Sequence, residues 1–180
     1  MIPMLLAALL CAPALPTTSQ SSSSSSQSEE QIRQQIDTYL GSIDVPVRPA
    51  QWRALGPQGA SILEGMAQDP KVLPSRRAKA IDGLSAIGTL TAAHTMLRLA
   101  KDEQGPLAVR LSAVRGVGRV LPAQVAPALQ PILQGAQNPH VRAAAADTLS
   151  SHGGCNLVRA QAAREDEPRR LRRALQRCGR

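Results

Sequence analysis

The chain has 180 residues and a formal net charge of +8, a length that suffices for one domain with a real core. It contains one Trp, one Tyr and no Phe, so the core must be built from aliphatic side chains, which argues against a large ligand cavity lined by rings. The positive charge permits an anionic partner without identifying one.

The first fifteen residues, MIPMLLAALLCAPAL, carry no charged side chain and are almost wholly apolar. A membrane-spanning helix needs ~20 such residues, and this run ends in a small-x-small cleavage pattern at Ala14. We therefore expect residues 1–14 to be a signal peptide, with the protein exported to the periplasm or the cell surface. Lipidation of Cys11 is an alternative route of export, which the preceding Leu10 disfavours. The remaining interpretation is a structureless start of a cytosolic protein.

A polar segment follows, and residues 17–28 consist only of Ser, Thr and Gln. Such a segment has no apolar surface to offset the entropy cost of ordering, which predicts a Ser-rich disordered linker over residues 15–28. The folded domain then covers residues 29–180. Ser28 and Gln31 are typical of a capping box, which predicts that the first helix begins at Ser28 and ends at Gly41.

Further helices are predicted where apolar residues recur at helical spacing between turns that contain Pro or Gly. Their ranges are 49–55, 57–68, 74–87, 91–101, 106–119, 122–133, 139–151, 155–164 and 168–178. Gly88, Gly118 and Gly153 follow their helices, where a left-handed residue ends a helix at low cost. Trp52 either anchors a partner or covers the N-terminal end of the helices, and the second interpretation is favoured because a terminal repeat must cap the core.

One helical pattern recurs from residue 74 onward: a proline, an arginine, a small inward-facing residue and a larger apolar residue four positions later. The small residues are Ala80, Ala113, Ala145 and Ala174, at spacings of 33, 32 and 29 residues. The larger residues are Leu84, Val117, Leu149 and Cys178. A period of this length, made of helix pairs, predicts an all-α fold, a right-handed α-solenoid of antiparallel helix pairs.

With this pattern, the chain resembles a HEAT-repeat protein of the short bacterial kind, with repeats similar to those of phycobilisome-lyase-type proteins. The resemblance depends on a helix reading VRxxAAxxL, which is seen in residues 141–149 and again in residues 109–117. It covers about residues 57–180, and it implies a scaffold that mediates protein–protein interaction. The lyase activity is not implied, because no pigment-binding or catalytic motif is visible.

We expect no enzyme activity, no cofactor and no small-molecule substrate. The chain has no Gly-rich phosphate loop, no HExxH and no CxxC pair. His152, Cys155 and Cys178 lack the fourth ligand and the tight spacing of a zinc site. The sequence therefore favours a binding protein.

An arginine recurs at the same position of three predicted helices, as Arg77, Arg110 and Arg142. These side chains are either a ladder of anion sites or structural residues that pair with an acidic or carbonyl group of the neighbouring repeat. The structural role is favoured, since this is the usual role of the arginine in HEAT repeats. The candidate partners, in the preceding turns, are Asp69, Asp102 and Asn138.

The last predicted helix is rich in arginine, and a solvated end cap is the plainest interpretation of it. The sharper interpretation is contact with an anionic partner through Arg169, Arg170, Arg172, Arg173 and Arg177. The first hypothesis of function is thus an exported scaffold in the cell envelope with an unknown protein partner. The alternative is a basic helical-repeat protein that binds nucleic acid or an anionic surface. Export and the scarcity of rings for base stacking disfavour nucleic acid.

Cleavage after Ala14 would leave two cysteines, an even number in an oxidising compartment. Cys155 begins one predicted helix and Cys178 ends the next, at similar distances from the turn at 166–168. In an antiparallel hairpin these two positions lie at the same height, which predicts a disulfide between them if their side chains face each other. The alternative is two free thiols, with Cys178 at a core position.

Overall fold

A computed structural model describes residues 21–42, 45–164 and 168–179. This part of the chain is all-helical, as predicted, and none of its helices combines the length and apolar character needed to cross a bilayer. The helices are α1 Ser21–Gly41, α2 Pro49–Arg53, α3 Gly56–Gln68, α4 Pro74–Ile87, α5 Leu90–Lys101, α6 Leu107–Val120, α7 Val125–Gly135, α8 Pro139–Ser150, α9 Cys155–Ala162 and α10 Arg172–Cys178. Short 3-10 turns, Pro122–Gln124 and Pro168–Leu171, precede α7 and α10.

The first helix begins at Ser21, so the predicted start at Ser28 is wrong and residues 21–28 of the predicted linker are helical. Elongation of a helix adds one hydrogen bond for each residue that is fixed. A helix formed beyond Ser28 therefore extends through the serines, although serine is a weaker helix former than alanine. The predicted signal peptide, its Cys11 and the linker residues 15–20 lie outside the described residues.

The helices pack in two rows. Helices α2, α4, α6, α8 and α10 contact one another in chain order and form the first row, and α3, α5, α7 and α9 form the second row in the same way. Consecutive helices also pack across the rows, α3 with α4, α5 with α6, α7 with α8 and α9 with α10. The two middle pairs, α5 with α6 and α7 with α8, therefore contact both the pair before them and the pair after them along the chain.

The recurring small residues lie in the core between the rows. Ala80, Ala113 and Ala145 are fully buried, and Ala174 is 1% exposed. Three of the larger residues that follow them, Leu84, Val117 and Leu149, are also fully buried, whereas Cys178 is only partly buried. The repeat deduced from the sequence thus corresponds to buried core positions in three helices, and in the fourth only to Ala174.

Glycines have two different roles in the packing of the first row. Gly88 ends α4 in the left-handed conformation, with φ of 81°, as predicted. Gly118 was expected to follow its helix, but it lies inside α6 and is buried. A Cβ atom there would lie 2.3 Å from Cγ2 of Thr148 in α8. Gly118 therefore permits the close approach of α6 and α8 and does not end a helix.

Trp52 closes the N-terminal end of the first row. Its side chain is 4% exposed, and its ring meets that of Tyr39 edge-on with 5.2 Å between centroids. Gly83 of α4 lies beneath the indole, where a Cβ atom would be 2.8 Å from Cε3. The structure thus agrees with the interpretation of Trp52 as an end cap, because a buried indole cannot anchor a partner.

Candidate functional site

The three repeated arginines connect the two rows, and the structure supports a structural role. Arg77 Nε donates to the carbonyl of Ala67 at 2.9 Å, and Arg110 Nε donates to the carbonyl of Ala100 at 3.4 Å. In the third repeat Arg142 Nη1 donates to the carbonyl of Ala136 at 2.7 Å. Each arginine of the first row thus satisfies a carbonyl at the C-terminal end of the preceding second-row helix, where intrahelical partners are missing.

The predicted partners in the turns, Asp69, Asp102 and Asn138, have another role. Their side-chain oxygens accept from backbone N–H groups two residues further along the chain, those of Lys71, Gln104 and His140. This local hydrogen bond is the usual role of Asp and Asn in a turn. It leaves the arginines to bind carbonyls, so the choice of these three side chains as their partners is wrong.

Arg110 has an acidic partner as well, which is Glu103 and not Asp102. Arg110 Nη1 lies 2.8 Å from Glu103 Oε2, and the arginine side chain is 3% exposed. The hydrogen bond from Arg110 and a second one from the backbone of Gln137 lower the pKa of Glu103 below its ordinary value, against partial burial, which raises it. Glu103 is therefore charged in the folded protein at neutral pH.

The arginines of the C-terminal segment lie on two different surfaces. Arg173 and Arg177 extend from α10 towards α8: Arg173 Nε is 3.8 Å from Asp147 Oδ2, and Arg177 Nη1 donates to the carbonyl of Asp147 at 3.3 Å and to Ser151 Oγ at 2.7 Å. Arg169 and Arg172 line a separate, shallow surface with Leu175 and Gln176. Arg170 Nη1 lies 3.5 Å from His140 Nε2 at the start of α8. The five arginines therefore do not form a single patch.

An open groove between α6, α8 and α10, which we name the arginine groove, brings Arg173 and Arg177 together with two arginines of α6. Its volume is about 440 Å³. Small side chains of α8 form much of its floor. Its lining residues are Leu111, Arg115, Arg119, His140, Ala143, Ala144, Asp147, Thr148, Ser151, His152, Arg173 and Arg177.

The arginines of the groove differ in their partners. Arg119 Nη1 lies 3.1 Å from Asp82 Oδ1 and donates to Ser85 Oγ at 2.7 Å, so it reaches back to α4. Arg115 is exposed, and the described part of the chain offers its guanidinium neither a hydrogen-bond acceptor nor a carboxylate. The groove therefore holds cations that the described part of the chain neutralises only in part.

Arg115 and Arg119 were not among the candidate residues predicted from the sequence. Arg115 occupies a recognisable place in the repeat, because Asp82, Arg115 and Asp147 each follow the anchor alanine of their helix by two positions. The charge at this position alternates in sign over the first three repeats, and the fourth repeat has the neutral Gln176 there. That alternation is the signal that could have pointed to a charged surface along the first row.

Helix α10 is joined to α9 at the side of the groove. Cys155 and Cys178 form a disulfide with 5.4 Å between their Cα atoms, which agrees with the predicted pairing. Arg159 Nη2 donates to the carbonyl of Cys178 at 2.6 Å. These contacts hold the C-terminal end of the helix that carries Arg173 and Arg177.

The remaining chemistry in the described residues is sparse. No group of three or more His, Cys, Asp and Glu side chains is placed there to hold a metal ion. His152 Nδ1 lies 2.8 Å from the carbonyl of Thr148, and the two cysteines beyond it are bonded to each other. The arginine groove is thus the candidate site with the clearest physical basis.

Comparison with family models, curated proteins and solved structures finds no match to this chain.

Proposed function

We propose that this protein is an exported, non-enzymatic scaffold of the HEAT-repeat type, which binds a protein partner in the cell envelope through its first row of helices. The observation that carries the proposal is the arginine groove, an open surface to which three successive first-row helices contribute. Repeat proteins use such continuous rows as binding surfaces. The ordered packing of helix pairs supports the right-handed solenoid that this proposal assumes.

Two further observations support export. The first fifteen residues are apolar and end in a small-x-small pattern. The pairing of Cys155 with Cys178 suits an oxidising compartment, where disulfides persist. The test is the mature N-terminus, measured by mass spectrometry of separated cell fractions. Cleavage after Ala14 in the envelope fraction is expected, and intact Met1 in the cytosol would contradict export.

Binding through the first row is tested by site-specific photo-crosslinking in producing cells. A photoreactive residue replaces His140, an exposed residue of the groove, and in a control strain it replaces Gln134, an exposed residue of α7 in the second row. We expect one defined protein partner to be crosslinked from position 140 and not from position 134. Equal crosslinking from both positions, or none from position 140, would contradict the proposal.

A second candidate function, the binding of nucleic acid or an anionic surface, is supported by the net charge of +8. The positions of the aromatic side chains argue against nucleic acid as the ligand. Trp52 is buried and Tyr39 packs against it, so neither ring is free to stack on a base. The protein partner therefore remains the preferred proposal.

A further inference from the structure

We infer that the arginine groove binds an acidic polypeptide segment, with Arg115 and Arg177 as its principal contacts to carboxylates. The inference rests on the proposed function, because it names the kind of protein that the first row would bind. It follows from the charges, the shape and the floor of the groove.

The charges of the groove are unbalanced. Where the structure describes the chain, four guanidinium groups are accompanied by two carboxylates: Asp82 pairs with Arg119 at 3.1 Å, and Asp147 lies 3.8 Å from Arg173. Within the described residues, Arg177 donates only to neutral oxygens, the carbonyl of Asp147 and Ser151 Oγ, and Arg115 has no partner there. Two cations, on the two outer helices of the groove, are thus left to attract an anionic ligand.

The shape of the groove suits an extended or helical segment. Ala143 and Ala144 contribute methyl groups to the floor, and exposed arginines stand on α6 and α10 at either side. A main chain can therefore lie close to α8 while its carboxylate side chains reach the guanidinium groups, with which they form charge-assisted hydrogen bonds. A small molecule is less well matched, because binding sites for small molecules enclose most of the ligand surface.

The floor of the groove also favours an acidic peptide over other polyanionic ligands. The side chain of Asp147 is 31% exposed and lies between α6 and α10, so a regular chain of phosphates lying along the groove would approach a carboxylate. A peptide can place a neutral residue at that point. A flat lipid surface cannot reach the floor of a groove, whereas it can contact Arg169 and Arg172, which lie on a shallow surface outside the groove.

The test is the affinity of the full oxidised protein for a fluorescent glutamate-rich peptide, measured by anisotropy beside the same peptide with glutamine in place of glutamate. We expect Arg115→Gln and Arg177→Gln each to raise the Kd for the glutamate peptide about tenfold. The matched control is Arg172→Gln, which removes the same charge from α10 on the surface outside the groove, and it should change the Kd by less than about twofold. Arg115→Lys should retain most of the affinity, since it keeps the charge. Circular dichroism establishes that each variant is folded.

Several outcomes would overturn the inference. If Arg172→Gln raised the Kd for the glutamate peptide as much as the groove variants do, the effect would be one of net charge alone. If the glutamine peptide bound equally well, or if the glutamate peptide did not bind, recognition of carboxylates would be excluded. Tighter binding of single-stranded RNA or phosphatidylglycerol vesicles, with the same dependence on Arg115 and Arg177, would assign the groove to another class of ligand. If position 140 still crosslinks to one protein while the peptide fails, the scaffold function stands and only the acidic chemistry is wrong.

Discussion

Arg110 is the most deeply buried of the three arginines that connect the rows, with 3% of its side chain exposed. Its Nη1 forms the ion pair with Glu103, and its Nε binds the carbonyl of Ala100. A buried charge of this kind is tolerated only when it is paired and hydrogen-bonded. The residue therefore stabilises the junction between α5 and α6 through its partners.

We expect Arg110→Met to lower the free energy of unfolding by about 2 kcal/mol. Removal of one partner from a fully buried ion pair costs about 3–5 kcal/mol, and the loss is smaller here because Glu103, which is 28% exposed, can regain water. The measurement is urea unfolding followed by circular dichroism. Arg115→Met is the matched control, an exposed arginine with no partner in the described ranges, and should change the free energy by less than about 0.5 kcal/mol.

The same ion pair predicts a dependence of stability on pH. The pKa of Glu103 is lowered in the folded state, chiefly by the hydrogen bond from Arg110, so the charged form contributes stability above the ordinary glutamate value of about 4.3. That contribution is lost as the pH falls through the lowered folded pKa. Glu103→Gln should therefore destabilise the protein at pH 7 and have a progressively smaller effect in acid. An effect of constant size across this range would contradict the assignment.

At the scale of helices, the approach of α6 to α8 depends on the absence of a side chain at Gly118. A Cβ atom there would overlap Thr148, which is buried and whose hydroxyl donates to the carbonyl of Ala144 at 2.9 Å, so that its side chain has little freedom to move. We expect Gly118→Ala to destabilise the protein by about 1–3 kcal/mol through overpacking, although alanine is the better helix former. Thermal unfolding provides the measurement.

Gly65→Ala is the matched control for this substitution. Gly65 also lies inside a helix, α3, but it is exposed and a Cβ atom there would have no neighbour within 4 Å. Without a steric conflict, the better helix propensity of alanine should stabilise the protein by about 0.5–1 kcal/mol. If both substitutions stabilise the protein, the contact between α6 and α8 is looser than the structure indicates.

The disulfide is a second element-scale feature, because α10 has only seven residues and isolated helices of this length are unstable. Its buried residues are few, with Leu171 just before it and Ala174 within it. The two cysteines are separated by 23 residues. Cross-linking of a loop of about this length stabilises by roughly 3 kcal/mol in the chain-entropy model.

We therefore expect the variant with Cys155→Ala and Cys178→Ala to lose about 3 kcal/mol of stability and to hold Arg173 and Arg177 less firmly beside α8. Wild-type protein with a reductant should behave in the same way. Intact mass after alkylation reports the oxidation state directly, and no alkylated cysteine is expected in protein purified from the exported fraction without reductant. Two alkylated cysteines in that protein would contradict the prediction.

The sequence predicts those parts of the fold that depend on local signals. Pro74 and Gly88 delimit α4 as expected. The first position of a helix tolerates proline, which lacks an N–H group, and Gly88 ends the helix because it adopts a left-handed conformation. The sequence predicts a helix end at Gly118 because local sequence signals carry no information about packing against the neighbouring α8. The sequence does not predict the groove for a related reason, since the placement of Arg115 and Arg177 in one groove depends on how three helices are rotated against one another.

At the scale of the whole molecule, the two rows place Trp52 and the disulfide at opposite ends of the chain of contacts. Trp52 belongs to α2, which packs on α4, and the disulfide joins α9 to α10, which pack on α7 and α8. In a solenoid each unit depends on its nearest neighbours, and stability is approximately a sum over units and interfaces. A globule with one shared core would instead unfold as a whole when a part is removed.

We predict that a chain ending at residue 151, without α9 and α10, keeps Trp52 buried. Its fluorescence maximum should match that of the full chain, because the packing of Trp52 on Tyr39 and over Gly83 involves only the N-terminal units. Far-UV ellipticity should fall only by the share of the two missing helices. Leu84→Ala in the full chain is the control, because Leu84 is a fully buried residue of α4. This substitution should lower the free energy of unfolding by about 2–5 kcal/mol and lower the midpoint of thermal unfolding that Trp52 fluorescence reports. A truncated chain with the red-shifted emission of unfolded protein would show that the helices fold only as one cooperative unit, and the additive stability expected of a solenoid would have to be abandoned.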